Sequence, residues 1–132
     1  MEKLLIEKTH SSPHIFFDSD AHVLTIEGES FPENTAKFYA PVFRWLQQYI
    51  AELQDEAARM EIDIVYFNSS TSKILLDMFH LLDEAVAKGK NITVHWRCRD
   101  ENEMAIECGE EFKEDLRNLP FHIITYSDNG ES

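Results

Sequence analysis

A strand-like segment passes directly into a long amphipathic helical segment in the middle of the chain, and this pattern limits the possible folds. Ile62–Phe67 is rich in β-branched and aromatic residues, which is typical of a buried strand. Lys73–Leu82 has apolar residues at helical spacing and contains neither proline nor glycine. Four hydroxyl residues, Ser69–Ser72, lie between the two segments, so we expect them at the start of a helix.

The start of such a helix is a favourable place for a hydroxyl cap and for a phosphate. The first backbone N–H groups of a helix lack partners within it and carry partial positive charge. Asn, Ser and Thr are common caps, and capping alone explains one or two of these residues. A phosphate would add roughly 1.5 to 2 negative charges at neutral pH, and the helix start would stabilise it. The residues themselves are compatible with both interpretations.

Three short apolar runs predict strands in the first part of the chain, at Leu4–Ile6, Ile15–Phe17 and Val23–Ile26. We expect the second and third strands to form a hairpin that turns at residues 18–21. Residues 28–34 are polar and contain glycine and proline, so they predict a loop that leads into a helix.

The first helix is predicted from aromatic and aliphatic residues at helical spacing between Phe38 and Leu53. Pro41 lies within this pattern and predicts a bend, or a first turn that ends before it. Tyr39 or Phe43, if left exposed, would belong to a binding face.

Strands and helices alternate through the rest of the chain. We predict a strand at residues 61–68, the second helix, a strand at 91–98, a third helix at 100–117 and a last strand at 121–126. The order β-β-β-α-β-α-β-α-β predicts an α/β sandwich with a mixed sheet in one domain. The residues expected on the buried side of the third helix are Met104, Cys108, Phe112 and Leu116.

The balance of charges excludes several classes of partner. The chain has 132 residues, with 12 Lys and Arg against 25 Asp and Glu, which gives a formal net charge of −13. Such a field repels nucleic-acid phosphates and anionic lipid, so we expect no nucleic-acid and no membrane partner. The N-terminus lacks a signal-peptide pattern, and no segment approaches the roughly 20 apolar residues of a membrane span. These features predict a cytoplasmic protein.

Neither the cysteines nor the histidines predict a metal site. The spacing of Cys98 and Cys108 matches no zinc or redox motif and predicts two reduced thiols. The six histidines are scattered, and no pair is supported by a third ligand. We therefore expect no metal and no cofactor.

Motifs for catalysis are also missing from the sequence. The hydroxyl residues are not framed by the glycines of a nucleophile elbow, and the four glycines form no phosphate-binding loop. A small enzyme that uses Asp63, His80 or the hydroxyl residues stays open as an alternative. It would require a concave pocket in which these polar groups converge.

Three stretches of the chain, in the correct order, resemble the SiaC family of bacterial regulatory phosphoproteins, whose fold is like that of STAS domains. They are residues 28–34, residues 66–73, and residues 96–112 followed by 119–121. The resemblance implies a single STAS-like domain over residues 1–126. The residues after the last strand predict a flexible tail at residues 127–132.

The resemblance also implies a non-enzymatic switch. Family members are phosphorylated by a Ser/Thr kinase on the hydroxyl residue that follows the asparagine of the second stretch, and a PP2C-type phosphatase removes the phosphate. The unphosphorylated form binds and activates a diguanylate cyclase, which raises cyclic di-GMP and favours biofilm formation. By position the acceptor is Ser69, and Ser70 and Thr71 are the alternatives.

The resemblance, together with the exposure of loops, places the expected partner-binding surface beside this acceptor, because loops carry function more often than the elements they join. A turn followed by a helix cap explains Pro32, Glu33 and Asn34 nearly as well. An anti-sigma-factor antagonist would have the same fold and differ only in its partner. The residues assigned to this surface are Ser30, Phe31, Pro32, Glu33, Asn34, Asn68 and Lys73.

Overall fold

Six strands and three helices follow the predicted order in the computed structural model, which describes residues 1–127. The prediction of a mixed α/β domain is confirmed. The predicted tail lies, apart from Ser127, outside the described residues. The strands are β1 (Leu4–Ile6), β2 (His14–Asp18), β3 (Val23–Ser30), β4 (Ala57–Phe67), β5 (Asn91–Arg99) and β6 (Phe121–Tyr126), and the helices are α1 (Thr35–Glu52), α2 (Ser69–Ala87) and α3 (Glu103–Glu114).

The strands lie in the sheet in the order of the sequence, β1-β2-β3-β4-β5-β6. The β1–β2 and β2–β3 pairs are antiparallel, and the predicted hairpin is therefore confirmed. The pairs from β3 to β6 are parallel, and each is joined through one helix. Because crossovers between parallel neighbours are right-handed, all three helices lie on the same face of the sheet.

The core lies between this face and the helices, and its largest side chain is Trp96 of β5. The indole is 1% exposed and makes ring contacts with Phe79, Phe112 and Phe121, with centroids 6.3, 5.3 and 6.3 Å away. Its Nε1 donates a hydrogen bond of 2.9 Å to the carbonyl oxygen of Ala105 in α3. Trp96 therefore attaches both α2 and α3 to the sheet.

The other face of the sheet carries no helix among residues 1–127, and it bears charged side chains. Glu61 Oε2 lies 2.5 Å from Arg59 Nε and 2.6 Å from His95 Nδ1. Phe16, Thr25, Glu61, His95 and His122 are register partners in one row across five strands. Along the strands, buried apolar residues alternate with partly exposed polar residues. A shift in pairing by one residue would exchange the two faces, so this alternation fixes the register of the sheet.

Two element boundaries differ from the prediction because strand pairing extends them. β3 continues to Ser30, so the predicted loop at residues 28–34 begins as strand, paired with β4 as far as Phe67. β4 begins at Ala57 because it pairs with β5 from that residue onward. Hydrogen bonds to a neighbouring strand satisfy the backbone there, which the local composition does not reveal.

The prediction that a turn ends before Pro41 is wrong, because α1 is continuous through it. Tyr39 and Val42, on either side of Pro41, are fully buried, and their packing holds the helix together at the proline. Burial also excludes Tyr39 from a binding face, and Phe43 packs against the core.

The buried side of α3 differs in part from the predicted one, and α3 is shorter than residues 100–117. Phe112 is buried as predicted, together with Ala105 and Gly109, whereas Met104 is 37% exposed and Cys108 is half-buried. Leu116 lies beyond the end of α3 and is partly buried against the core. A Cβ atom at position 109 would lie 2.6 Å from Trp96 Cδ1. Small residues at 105 and 109 therefore let the helix backbone approach the indole, and this contact turns Met104 outward.

Candidate functional site

All three helices start at the carboxyl edge of the parallel strands, and each is capped by an asparagine. Asn34 Oδ1 accepts from the backbone N–H of Lys37 at 3.0 Å, and Asn68 Oδ1 accepts from that of Thr71 at 3.0 Å. Asn102 Oδ1 accepts from Ala105 at 3.2 Å. The helix cap that was the alternative interpretation of Asn34 is present, and at α2 the cap is Asn68 and not one of the four hydroxyl residues.

Ser69 and Ser70 occupy the first two positions of α2, and both are exposed. Among residues 1–127, neither hydroxyl has a hydrogen-bond partner. Because Asn68 caps the helix, these hydroxyls do not serve as its cap, and their exposure leaves them accessible to a modifying enzyme.

Thr71 lies only two residues beyond Ser69 but is fully buried. Its Oγ1 donates a hydrogen bond of 3.0 Å to the carbonyl oxygen of Ser30 and lies 2.9 Å from Ser30 Oγ. Ser30 Oγ also lies 2.8 Å from the hydroxyl of Tyr39, and Ser30 itself is fully buried. Burial raises the pKa of Tyr39 to about 12, so its hydroxyl stays protonated. This hydroxyl cluster ties β3, α1 and α2 together, and its members are closed to an enzyme or partner in this fold.

An open groove of about 460 Å³ lies beside Ser69, between α2 and α3. Lys73, one turn after Ser69, contributes an exposed ammonium to it. Burial, with the carboxylates of Glu111 and Glu107, raises the pKa of the Cys108 thiol, which therefore stays protonated. The residues that line the groove are Phe67, Asn68, Ser69, Ser72, Lys73, Leu76, Met104 and Cys108.

The loop after β3 lies on the other side of the start of α2. The Asn68 backbone N–H donates to the Ser30 carbonyl at 3.3 Å, which joins the two segments. Phe31 is half-buried and packs edge-on against Tyr66, with ring centroids 5.7 Å apart. Pro32 is half-buried, and Glu33 and Asn34 are exposed. The structure thus brings the sequence-assigned residues to one edge of the sheet.

A β-bulge explains two exposed residues at this edge that the sequence reasoning missed. Ile64 pairs with Gly28, whereas Tyr66 pairs with Glu29, so Val65 is one extra residue in β4. Alternation is therefore interrupted: Val65 and Tyr66 are 42% and 48% exposed, and Phe67 turns into the core. A glycine within a strand is a sequence signal for such a bulge, and Gly28 is this glycine. In the structure Gly28 has a φ of +120°.

The three components suggested for an enzyme site lie in three separate places. Asp63 accepts a hydrogen bond of 2.7 Å from the Tyr126 hydroxyl, in a depression away from the hydroxyl residues. His80 Nε2 lies 2.6 Å from Asp115 Oδ2 at an exposed position. The groove beside Ser69 includes neither residue. No convergent arrangement of these groups supports catalysis.

Within the described part of the chain, no group of three or more His, Cys, Asp and Glu residues is arranged to hold a metal ion. None of the helices between residues 1 and 127 combines the length and apolar character needed to cross a bilayer.

Comparisons with known proteins agree on one family. The model of the SiaC family regulatory phosphoproteins matches residues 6–126. An uncharacterized protein of Pseudomonas aeruginosa (strain UCBPP-PA14) is 33% identical over 93% of this chain and 96% of its own length.

Solved structures extend this agreement to three dimensions. The crystal structure of apo-SiaC from P. aeruginosa is 30% identical, with a TM-score of 0.84 over 95% of this chain and 100% of that chain. A chain in the crystal structure of the diguanylate cyclase SiaD in complex with its activator SiaC, from the same organism, is 32% identical. It has a TM-score of 0.87 over 93% of this chain and 99% of that chain. The protein therefore belongs to the SiaC family of regulatory phosphoproteins.

Proposed function

We propose that this protein is a non-enzymatic cytoplasmic switch whose unphosphorylated form binds and activates a diguanylate cyclase. It would thereby raise cyclic di-GMP and favour biofilm formation. A Ser/Thr kinase would end the activation by phosphorylating Ser69, and a PP2C-type phosphatase would restore it. Support comes from membership of a regulatory phosphoprotein family and from the likeness to a SiaC chain that is the activator of SiaD.

The observation that carries this proposal is the contrast between Ser69 and the structural residues around it. Asn68 caps the helix and Thr71 is buried in the hydroxyl cluster, whereas Ser69 is exposed and has a free hydroxyl within the described chain. Ser70 is also exposed, but it does not line the groove. Ser69 is thus the accessible hydroxyl at which a charge would alter the groove directly.

A phosphate at Ser69 is compatible with the fold. It would meet the positive end of α2 and the ammonium of Lys73, and both interactions stabilise a negative charge. A partner that docks over the same point would have to cover this doubly charged group. Burial of a charge without a matched partner costs several kcal/mol, so phosphorylation would prevent docking without unfolding the domain.

The docking surface includes the loop and helix start that flank Ser69. Phe31, Pro32, Glu33 and Asn34 form the loop side, and Asn68 and Lys73 form the helix side. Ser30 is fully buried, so it positions this loop through the hydroxyl cluster and does not itself contact the partner.

The first test is mass spectrometry of the intact protein and its peptides, recovered from the native host. We expect one phosphate, on Ser69. Absence of phosphate from all four hydroxyl residues, with the kinase co-expressed, would refute the switch.

The second test compares Ser69→Ala with Ser69→Asp in partner binding and in cyclic di-GMP synthesis by the bound cyclase. Ser69→Ala should bind as the wild type does and escape regulation, whereas Ser69→Asp should bind at least about tenfold more weakly, about 1.4 kcal/mol. Ser70→Ala is the matched control and should behave as the wild type. Equal binding by Ser69→Asp would contradict the occlusion of the partner. Recovery of an anti-sigma factor instead of a cyclase would assign the alternative partner.

A further inference from the structure

The sheet has two edge strands, and they differ in how far they are protected from pairing with another chain. β1 has three residues, and Lys3 Nζ, just before it, lies 3.6 Å from Asp18 Oδ1. Trp45 Nε1 donates a hydrogen bond of 2.7 Å to the carbonyl oxygen of Glu2 near the same edge. Short edge strands and edge lysines are common ways in which proteins prevent the addition of a further strand.

The strand at the other edge, β6, lacks this protection. It has six residues, and none of them is lysine, arginine, aspartate, glutamate or proline. Its pairing with β5 is in register throughout and contains no bulge. Among residues 1–127, β5 is the one strand that pairs with it. A regular, uncharged edge strand of this kind is a template for strand addition.

The backbone of β6 has hydrogen-bonding groups that point away from the sheet. The carbonyl oxygens of Pro120 and Tyr126 accept hydrogen bonds of 2.9 and 2.8 Å from β5 and from the residue that follows it. Backbone groups alternate in direction along a strand, so the N–H and C=O groups of every second residue face the open edge. Within the described chain these outward groups have no backbone partner, and they belong to Phe121, Ile123 and Thr125.

A groove beside this edge gives it a charge. The groove has an open volume of about 460 Å³ and is lined by Glu110, Lys113 and Glu114 of α3 and by Ile123 of β6. Two carboxylates and one ammonium leave it negative, on a chain whose formal net charge is −13. An added strand would direct alternate side chains into the groove and the others onto the opposite face, beside the half-buried Ile124. Basic side chains are therefore favoured in the groove and apolar ones beside Ile124.

A second copy of this chain fits the edge poorly. In an antiparallel pair of two β6 strands the twofold axis is perpendicular to the sheet, so the helices of both copies lie on the same side of it. The two α3 helices would then be neighbours. Each α3 carries five glutamates and one lysine, so this contact would be repulsive. The charges therefore favour a basic partner over self-association.

We propose that the edge of β6 binds an extended segment of a partner protein in which basic residues alternate with apolar ones. The segment pairs with the outward backbone groups of β6 and adds a strand to the sheet. Its lysine or arginine side chains lie in the groove against Glu110 and Glu114, and their aliphatic stems cover Ile123. Its apolar side chains cover Ile124 on the other face. In this mode of recognition main-chain hydrogen bonds supply affinity, and the alternating side chains supply specificity.

This docking edge is independent of the switch at Ser69. Ser69 follows β4, and β5 lies between β4 and β6, so the two sites are separated by two strand spacings, about 10 Å. The screening length at physiological salt is about 8 Å, so a phosphate on Ser69 would have little effect at β6. The edge would therefore hold its partner in both forms of the protein.

The test uses the intact purified chain and a synthetic peptide of about ten residues in which lysine and valine alternate. Binding is followed by fluorescence anisotropy at about 0.15 M salt. A control peptide has the same composition and net charge, but its lysines and valines form two separate blocks. It should bind at least about tenfold more weakly, because it cannot place lysines on one face and valines on the other.

N-methylation of the alternating peptide tests pairing through the backbone. A methyl group on an amide nitrogen removes the donor, and in a strand the amides of the lysines face one edge and those of the valines face the other. Methylation of one of these two sets should weaken binding at least about tenfold, and methylation of the other should have little effect. The bound peptide should also slow hydrogen exchange of the outward amides of Ile123 and Thr125 at least about tenfold.

Two double variants of α3 test the charge of the groove. Glu110→Gln with Glu114→Gln removes both of its carboxylates and should weaken binding of the alternating peptide at least about fivefold. Glu107→Gln with Glu111→Gln is the matched control, because it makes the same change of charge on the side of α3 that faces Cys108. The control variant should bind nearly as the wild type does.

A substitution at Thr125 tests the edge itself. Thr125→Pro removes an outward N–H, and proline is tolerated in an edge strand at such a position. It should weaken binding of the peptide, whereas Thr125→Ala should bind as the wild type does. Circular dichroism checks that both variants are folded, and the N-methylated peptides decide the question if the proline variant is not.

Four results would overturn the proposal. They are equal binding of the block peptide, equal effects of the two N-methylated sets, equal effects of the two glutamine pairs, and a dimer of the chain in light scattering that Thr125→Pro dissociates. The last result would assign the edge to a second copy. None of these measurements involves Ser69, the cyclase or the kinase, so their outcome is separate from that of the proposed switch.

Discussion

The starts of α2 and α3 share a backbone arrangement and differ in the charge of their first turns. Both helices follow a parallel strand, and both are capped by an asparagine, Asn68 or Asn102. The first turn of α3 carries Glu103, whereas that of α2 carries no acidic residue and presents Ser69. Since the positive end of a helix stabilises a negative charge, α2 has a place for a charge that α3 already carries.

Both helices pack on Trp96, α2 through Phe79 and α3 through Phe112, and they differ in a further contact with the sheet below each cap. α2 is held through the hydroxyl of Thr71, which bonds to Ser30 at the end of β3. α3 is held by the contact of Gly109 and Ala105 with the indole of Trp96. One attachment is made of short polar bonds, and the other is made of close packing, so they should fail under different substitutions.

A side chain at position 109 should disrupt the packing of α3 on Trp96, and we expect it to have the largest effect on stability. In Gly109→Val the new side chain would overlap Trp96, and we expect a loss of about 3 kcal/mol in the free energy of unfolding. Urea unfolding followed by circular dichroism measures this loss. Glu110→Val is the control, since Glu110 is exposed on the same helix, and it should cost less than about 1 kcal/mol. Similar losses in the two variants would mean that α3 does not depend on this close approach.

Removing the buried hydroxyl of Thr71 should weaken the attachment of α2 to β3, with an intermediate effect on stability. Thr71→Val keeps the volume but leaves the hydroxyl of Ser30 with one fewer partner, so we expect a loss of about 1 to 2 kcal/mol. Ser70→Ala removes a hydroxyl that is exposed, and it should change stability by less than about 0.5 kcal/mol. Thermal unfolding of the two variants under the same conditions measures this difference in stability. A destabilised Ser70→Ala would show that the surface hydroxyl also supports the helix start.

Changing the charge in the first turn of α2 or of α3 should have the smallest effect on stability, and it tests directly how the two helix starts differ. Ser69→Asp gives α2 the charge that α3 already has and should stabilise the fold by about 0.3 to 1 kcal/mol. Glu103→Gln removes that charge from α3 and should destabilise the fold by a similar amount. Both effects should shrink in about 1 M salt, where the screening length is about 3 Å. A salt-independent change would point to an interaction other than the helix dipole.

Most of the fold was accessible from the sequence because its pattern is local. The alternation of Ile92, Val94 and Trp96 and the helical stripe of α2 each predict an element without knowledge of its neighbours. The start of α2 at the hydroxyl residues was predicted in the same way. The predictions were wrong where a residue distant in the chain determines the local structure. Gly109 is an example, because the indole of Trp96 on β5 leaves no space for a side chain there.

In the candidate site, too, some features follow from the local sequence and others depend on distant residues. Exposure of Ser69 follows from its place in the first turn of an amphipathic helix. Burial of Thr71 likewise follows from helical spacing, because Thr71 lies one turn before the buried Leu75. Its hydrogen bond to Ser30, 41 residues away in the chain, and the exposure of Tyr66, which depends on the pairing register with β3, do not follow from such a pattern. Neither register nor long-range hydrogen bonding can be read from short windows of sequence, so the hydroxyl cluster and Tyr66 became visible only in the structure.

The hydroxyl cluster of Ser30, Tyr39 and Thr71 has a consequence for timing. It joins the turn that bears Ser69 to the end of β3 and to α1, so buried hydrogen bonds fix the position of Ser69. With Ser69 as the acceptor, no loop has to refold before a partner can detect the phosphate, and the two forms should have superimposable backbones. In the proposed switch, the response time would be set by the turnover of the kinase and the phosphatase, with no delay from refolding of the protein itself.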